Sequence, residues 1–159
     1  MKERLTIELD RFASLNINAV FFHLRTHNNA FYKTKLAPIK SEYGTYETLE
    51  NFDYVPWLIE ECHKRGIEFH AWLNPYRIDL DRLPVDVTPA DVALRYKEYP
   101  QNPASKAENI LISYSSETAR GSILNPAKQE VQDYLVDVVN ELMNNYNIDG
   151  IHFDDYFYV

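Results

Sequence analysis

The fold class is decided by the final stretch of the sequence, Asp149-Gly150-Ile151-His152-Phe153-Asp154-Asp155-Tyr156-Phe157-Tyr158-Val159. Residues 130–146, which precede it, carry apolar side chains at intervals of three and four, and this spacing predicts an amphipathic helix. Asp149 and Gly150 end that pattern, and the alternation over 151–154 is typical of a strand. The stretch therefore predicts one unit of an α/β protein, in which sites form beyond the carboxyl ends of parallel strands.

The rest of the chain repeats this order of helix and strand. Helices are predicted at 2–15 and 54–65, and apolar runs of strand length at 19–25, 67–73 and 122–126. Such alternation predicts a parallel sheet with helical crossovers. No phosphate-binding glycine loop follows a strand, and the chain has only four glycines, so a dinucleotide-binding fold is disfavoured.

We therefore predict an α/β fold, a parallel (β/α) barrel of the TIM type. A complete barrel takes about 250 residues, so 159 residues provide its first four strand units, a half-barrel or truncated barrel. The whole of 1–159 is expected to be one partial domain, with a long inserted loop at 78–120 after the second strand. Within that loop, 110–114 is predicted to be a short strand or hairpin arm.

Composition limits the partners of the chain. Hydrophobic residues make up 45% and charged residues 25% of the sequence, as in globular proteins. A net charge of −8 argues against a nucleic-acid partner. No apolar run approaches the roughly 20 residues of a membrane span, and the first residues do not resemble a signal peptide. The single Cys62 cannot form an intrachain disulfide, and we expect it to be a small buried side chain.

Strand alternation predicts that polar side chains share the inner face of the sheet near its carboxyl ends. Three of the strands carry a histidine on that face, at what the pattern predicts to be an equivalent depth. A carboxylate among histidine and arginine side chains is held ionised, which suits a nucleophile or charge stabiliser. The predicted members of this face are His23, Arg25, His70, Trp72, Asn74, Asn125, His152 and Asp154.

Three further aromatic and acidic side chains have open interpretations. Trp72 and Tyr76 suit stacking on a sugar ring, and packing explains each of them equally well. Asp155 points away from Asp154 in a regular strand. Twist at the strand end brings it back to bind a hydroxyl or to orient Asp154, and a capping role in a turn is the alternative.

Several segments resemble the glycosyl-hydrolase-like family 10, bacterial barrel enzymes that are typically found outside the cytoplasm. The resemblance implies cleavage of cell-wall glycans, including peptidoglycan strands stripped of their peptides, by an extracytoplasmic protein without a cofactor. The segments that carry it are Val20-Phe21-Phe22-His23-Leu24-Arg25, Ala30-Phe31-Tyr32, Ile59-Glu60-Glu61-Cys62-His63-Lys64-Arg65-Gly66, His70-Ala71-Trp72-Leu73-Asn74-Pro75-Tyr76-Arg77, Leu124-Asn125-Pro126 and Asp149-Gly150-Ile151-His152-Phe153-Asp154-Asp155-Tyr156.

The pattern Asp149-Gly150-x-His152-x-Asp154 also resembles that of the α-amylase clan. This resemblance implies that Asp154 is the nucleophile, with Asp155 beside it, and that the proton-donating glutamate comes from a strand beyond residue 159. Two departures from the family concern the substrate: Arg25 is followed by Thr26 instead of proline, and the inserted loop is atypical. The expected substrate-binding residues are His23, Arg25, His70, Trp72, Asn74, Tyr76, Asn125, His152 and Tyr156.

Two other functions compete with a glycosidase. A metal-dependent barrel hydrolase or deacetylase would use His23, His70, His152 and Asp154, which are ordinary zinc ligands. No His-x-His pair occurs on one strand, however, and Arg25 would repel a cation. The other is a non-catalytic glycan-binding fragment that lacks the acid/base residue. In either case the open edges of a half-barrel favour a homodimer.

Overall fold

A computed structural model gives the fold and describes residues 2–40, 45–78, 88–106, 110–115 and 120–154. The helices are α1 (Lys2–Ser14), α2 (Tyr46–Asn51), α3 (Tyr54–His63), α4 (Pro89–Tyr96) and α5 (Gln129–Asn145). The strands are β1 (Ala19–Arg25), β2 (Glu68–Leu73), β3 (Leu111–Ser115), β4 (Arg120–Leu124) and β5 (Gly150–Phe153), and a short 3-10 helix spans Pro103–Lys106.

The centre of the molecule is a three-stranded parallel sheet in the order β1-β2-β5. Helix α3 lies in the chain between β1 and β2, and α5 directly precedes β5. His70 of β2 is the common reference point, because it lies opposite Phe21 of β1 and opposite Gly150 of β5. The sheet and its crossover helices form a partial (β/α) fold, as the sequence predicts.

The prediction for 122–126 as a third strand of the parallel sheet is wrong. Strand β4 pairs antiparallel with β3, with Ile112 opposite Ile123, and Arg77 forms an isolated antiparallel bridge to Ile123. The prediction of a hairpin arm at 110–114 is confirmed. An apolar run of strand length does not encode its pairing partner, and β2 pairs directly with β5. The described residues therefore supply three parallel strands, and the third predicted strand lies in the excursion between β2 and α5.

The core lies between the outer face of the sheet and the helices. Phe69, Ala71 and Leu73 of β2 are at most 1% exposed, as the alternation predicts. They share one apolar cluster with residues of α3 and α5, among them Val55 and Val138. This burial fixes which face of β2 meets the helices, so His70 and Trp72 are left on the inner face.

Helix α3 shows how local sequence sets the element boundaries around the site. Asp53 caps its start by accepting a hydrogen bond from Val55 N at 3.0 Å. After its end, Gly66 adopts a φ of +68°, which a glycine reaches without strain. Cys62, in its last turn, is fully buried, and burial raises the pKa of its thiol to about 11. No helix in the described part of the chain combines the length and the apolar composition needed to cross a membrane.

Candidate active site

The strand register arranges the inner-face residues in two rows, and every member except one glycine carries an aromatic or imidazole ring. The rows run across β1, β2 and β5, and the upper row lies nearer the carboxyl ends of the strands. Phe21 is an inner-face residue that the sequence analysis left out, although it alternates with His23. The lower row is Phe21, His70 and Gly150, and the upper row is His23, Trp72 and His152.

Trp72 lies at the centre of the upper row. The His23 ring stacks on it with centroids 3.9 Å apart and an angle of 10° between the planes. The His152 ring approaches edge-on, with centroids 5.9 Å apart. One face of the indole is thus covered by protein. Packing accounts for this face of Trp72, and stacking of a sugar on the indole stays a prediction.

His70 lies one pleat below the other two histidines, so the prediction of three histidines at equivalent depth is wrong. Its Nε2 lies 3.0 Å from Glu68 Oε2, towards the amino end of β2. Its ring also lies over Gly150, where an added Cβ would come within 2.5 Å of His70 Nδ1. A side chain at position 150 would therefore force the His70 ring to move.

Asn74 and Asp154 stand above the rows, at the carboxyl ends of β2 and β5. Leu73 is opposite Phe153, so the next residue on each strand, Asn74 and Asp154, follows in register. Asn74 is 3% exposed, and its Oδ1 lies 3.4 Å from His23 Nε2. The structure therefore brings His23, Asn74, His152 and Asp154 together at this end of the sheet.

Two polar atoms at this end are buried without a partner. Within the described part of the chain, neither Asp154 Oδ1 nor Trp72 Nε1 forms a hydrogen bond. A buried polar atom in this state reduces stability, and such atoms are rare in native structures. They make this end of the sheet the candidate site.

The alternation predicts that Arg25 shares the face of His23, but in the structure it does not. His23 lies opposite Trp72 and Arg25 lies opposite Leu73, so β1 advances two residues where β2 advances one. This bulge turns Arg25 to the core side of the sheet, where it is 1% exposed. A bulge of one residue reverses strand alternation, and the sequence gives no sign of it.

The guanidinium of Arg25 belongs to a buried polar network. It donates to Asn28 Oδ1 at 2.7 Å and to the Tyr134 hydroxyl at 3.1 Å. The amides of Asn28 and Asn102 bond to each other in both directions, at 2.9 and 3.0 Å. Asn102 Nδ2 also donates to Tyr134 at 2.7 Å. The network fixes the loop after β1, the excursion and α5 to one another, and neither Asn102 nor Tyr134 stood out in the sequence.

Two other residues that were predicted to bind substrate, Asn125 and Tyr76, lie outside the inner face. Asn125 follows the β3–β4 hairpin, and its Oδ1 accepts a hydrogen bond from Ala127 N at 3.0 Å, which shapes the turn before α5. Tyr76 lines an apolar cleft between β5 and α5, together with Val139 and Phe153. Asp155 and Tyr156 lie outside the described residues.

Asp149 lies at the opposite end of β5 from Asp154. Its Oδ2 accepts a hydrogen bond from Phe69 N at 2.7 Å and lies 2.7 Å from His63 Nε2. Partial burial acts to raise the pKa of Asp149, but these two hydrogen bonds and the nearby imidazoles have the larger combined effect, so the pKa is lowered. Asp149 joins β2, β5 and α3 and is a structural residue.

The inner-face histidines do not converge on one point. Trp72 separates His23 from His152, and His70 is paired with Glu68 one pleat lower. Among the residues that the structure describes, no three histidine, cysteine or acidic side chains are grouped so that they could hold a metal ion. The arrangement instead places one carboxylate beside an amide and imidazole rings, which can orient hydroxyl groups around an anionic centre.

Solved structures with a similar fold include TIM-barrel glycoside hydrolases. An α-fucosidase from Thermotoga maritima has a TM-score of 0.53 at 18% identity, covering 94% of this chain and 28% of its own. The galactosidase domain of a bifunctional α-galactosidase-sucrose kinase has a TM-score of 0.54 at 18% identity, covering 96% and 18%. A hypothetical protein from Ruminiclostridium thermocellum reaches 0.64 at 16% identity, covering 97% and 70%. At these identities the likeness concerns the fold alone.

The family follows from the sequence. The model of the family described as Glycosyl hydrolase-like 10 matches residues 1–159, and the chain belongs to this family. It is 33% identical over 156 residues to the glycosyl hydrolase DigH of Escherichia coli K12, and 32% identical over 152 residues to the glycosyl hydrolase YngK of Bacillus subtilis 168. These matches cover 95% and 94% of this chain but 33% and 27% of the relatives. The chain thus spans about a third of the length of these relatives, and it is glycoside hydrolase-like.

Proposed function

We propose that this chain forms part of a glycosidase that acts on a bacterial cell-wall or related polysaccharide, with Asp154 as nucleophile or principal carboxylate. The observation that carries the proposal is the position of Asp154. It directly follows β5 at the carboxyl end of the parallel sheet, where (β/α) barrels have their active sites. Its buried Oδ1 has no donor among the described residues, unlike the oxygen of a structural carboxylate.

The surroundings of Asp154 suit a sugar-binding site. His23, Asn74 and His152 offer donors and acceptors of the kind that hold sugar hydroxyls, and Asp154 is the carboxyl group among them. An anionic carboxylate can attack an anomeric carbon or stabilise an oxocarbenium-like transition state. Glycoside hydrolysis needs a second carboxyl group as proton donor. We assign that group to sequence beyond residue 159, and to Asp155 the binding of a hydroxyl or the orientation of Asp154.

Localisation and assembly are part of the proposal. A cell-wall substrate places the protein outside the cytoplasm. Among the described residues β1 and β5 are the outer strands of the sheet, and Phe21 and Phe153 on them are 53% and 44% exposed, so a second copy would find apolar surface at either edge. We expect the 159-residue chain to form a homodimer. A monomer in light scattering at micromolar concentration would refute this.

The experiment that tests the function is hydrolysis of peptide-free peptidoglycan glycan strands. It compares this chain with one extended to the length of its curated relatives. We expect turnover in the extended chain, and turnover in it alone would place the proton donor beyond residue 159. Binding of the strands without turnover by both chains would favour a glycan-binding module, and neither binding nor turnover would exclude this substrate class.

A further inference from the structure

Asn74 follows β2 at the carboxyl end of the sheet, and its backbone is fixed there. Its N–H donates to the carbonyl oxygen of Arg25 at 2.8 Å, beside the bulge in β1. Pro75 comes next, and a residue before proline is restricted to extended conformations. Asn74 is also 3% exposed. The main freedom left to it is a half-turn of its amide group, which exchanges the oxygen and the nitrogen.

His23 is the neighbour that distinguishes these two amide orientations. Its Nε2 lies 3.4 Å from Asn74 Oδ1, which is long for a hydrogen bond. Because an amide oxygen only accepts, this contact requires a proton on His23 Nε2. If the amide were turned over, the same contact would require Nε2 without a proton. The protonated nitrogen of His23 and the orientation of the Asn74 amide are therefore linked.

The ring of His23 is itself held by Trp72. The two rings stack with centroids 3.9 Å apart and with an angle of 10° between the planes. His23 lies opposite Trp72 in the strand register, and Asn74 is two residues beyond Trp72 on β2. The stack keeps the imidazole from tilting away from Asn74, so little further side-chain freedom is lost when Nε2 donates.

The amide nitrogen of Asn74 is left for a ligand. Oδ1 and Nδ2 are the two branches of the amide carbon, so Nδ2 points away from His23 when Oδ1 points towards it. Nδ2 donates to no acceptor among the described residues, and it is not one of the fully buried atoms that lack a partner, so it keeps accessible surface. A sugar hydroxyl oxygen is an acceptor of the kind that this NH2 group needs.

We propose that His23 is a positioning residue for Asn74. It carries a proton on Nε2, donates a hydrogen bond to Asn74 Oδ1, and thereby presents the Asn74 NH2 group as a donor to a substrate hydroxyl. His23 thus acts through Asn74, and the amide selects a hydroxyl that accepts a hydrogen bond. The role in sugar binding rests on the proposed function, whereas the hydrogen bond itself does not.

The first test observes the Nε2 proton of His23 by NMR in the 159-residue chain at pH 8. His23→Phe assigns the signal among the five histidines, because it removes the imidazole and retains a ring on Trp72. We expect the proton to exchange with solvent about tenfold faster in Asn74→Leu than in wild type, since the acceptor is lost. Asn74→Asp is the matched control, because it keeps an oxygen acceptor and removes the NH2 group, and it should retain the slow exchange. Equal rates in wild type and Asn74→Leu, or a proton on Nδ1 alone, would overturn the proposal.

A reciprocal measurement decides the hydrogen bond if Asn74→Leu does not fold. It compares the side-chain NH2 resonances of Asn74 in wild type, His23→Phe and His152→Phe. Both histidines contact Trp72, and among the described residues His23 is the one whose nitrogen contacts the Asn74 amide. We expect the resonances to move in His23→Phe and to stay in place in His152→Phe. Resonances that stay in place in His23→Phe, or that move equally in both variants, would contradict the bond.

The second test uses the extended chain and glycan strands. His23→Phe should raise KM on the order of tenfold, as expected for one misdirected hydrogen bond, with kcat within about twofold. Asn74→Ala should raise KM by a similar factor, and adding His23→Phe to it should have no further effect, because both changes remove the same interaction. Multiplying effects would show that His23 binds the sugar by itself and would overturn the positioning role. If no extended chain turns over the glycan, the proposed function fails while the NMR results still decide the hydrogen bond.

Discussion

Two carboxylates bracket β5, and their environments are opposite. Asp149, at the amino end, accepts from the backbone of β2 and from a histidine of α3, both at 2.7 Å. Asp154, at the carboxyl end, has a buried Oδ1 that accepts no hydrogen bond from the described residues. Only four residues separate them in the sequence. A carboxylate whose hydrogen bonds are formed stabilises the fold, whereas one with a buried oxygen left without them reduces stability.

The histidines follow the same division. Near the amino ends, His63 pairs with Asp149 and His70 pairs with Glu68. Near the carboxyl ends, His23 and His152 contact Trp72 by ring packing. Both histidines near the amino ends are thus paired with carboxylates, whereas the two near the carboxyl ends pack on an aromatic ring, and His23 also lies 3.4 Å from Asn74 Oδ1. This matches the arrangement of (β/α) barrels, in which one face carries stability and the other catalysis.

The largest expected effect comes from replacing each of the two carboxylates separately. Asp154→Asn should lower kcat on glycan strands on the order of 10³-fold or more in an active extended chain, because the nucleophile is lost. Asp149→Asn should leave kcat within about twofold. Thermal unfolding should show the converse, with Asp154→Asn no less stable than wild type. Comparable activity in Asp154→Asn and wild type would remove Asp154 from the reaction.

The next largest effect concerns the stability of the fold and the guanidinium of Arg25, which is buried on the core side of the sheet. Arg25→Met should reduce the free energy of unfolding by about 3 kcal/mol, since buried oxygens of Asn28 and Tyr134 lose a charged donor. Lys97→Met, on the exposed surface, should change it by less than about 0.5 kcal/mol. Urea denaturation measures both. Equal stability of the two variants would show that the network contributes nothing measurable.

A smaller effect on stability is expected at the contact between Gly150 and the His70 ring in the lower row. Gly150→Ala should destabilise by about 2 kcal/mol, because the new Cβ would lie 2.5 Å from His70 Nδ1. His70→Ala in the same chain should relieve most of that loss, which a double-mutant cycle measures. Gly66→Ala is the matched control. It should cost about 1 kcal/mol through its positive φ, and His70→Ala should not relieve it.

Alternation predicted β2 and β5 well, because burial of one face repeats every second residue. Phe69, Ala71 and Leu73 are buried as predicted, and His152 shares the inner face with Trp72. Alternation failed at Arg25, where the bulge inserts one residue. Such a bulge depends on the pairing of two strands, and one strand's own sequence does not show it.

Longer-range features were less predictable for a related reason. The run 122–126 has the composition of a buried strand, but it pairs with 111–115 in a local hairpin, which closes a much shorter loop than pairing with β1 or β2 would. Asn102 lies in a stretch without periodicity, so nothing marked it as a buried residue. Depth also requires register. His70 lies four residues before Asn74 and His152 two residues before Asp154, and the pairing of His70 with Gly150 puts His70 one pleat lower.

The smallest expected effect is the pH dependence of stability that Asp149 provides. Its pKa is lowered in the folded chain, so its contribution is fully present above the ordinary aspartate value of about 3.9 and is lost as the pH falls through the folded pKa. A surface pair of this kind contributes at most about 1 kcal/mol. Glu141 acts with the opposite sign: burial raises its pKa despite the hydrogen bond from Thr34, so its protonation favours folding. Urea midpoints measured between pH 3 and pH 7 should therefore fall less steeply towards acid in Asp149→Asn than in wild type, and more steeply in Glu141→Gln. Parallel curves for Asp149→Asn and wild type would show that the His63–Asp149 pair does not stabilise the amino end of the sheet.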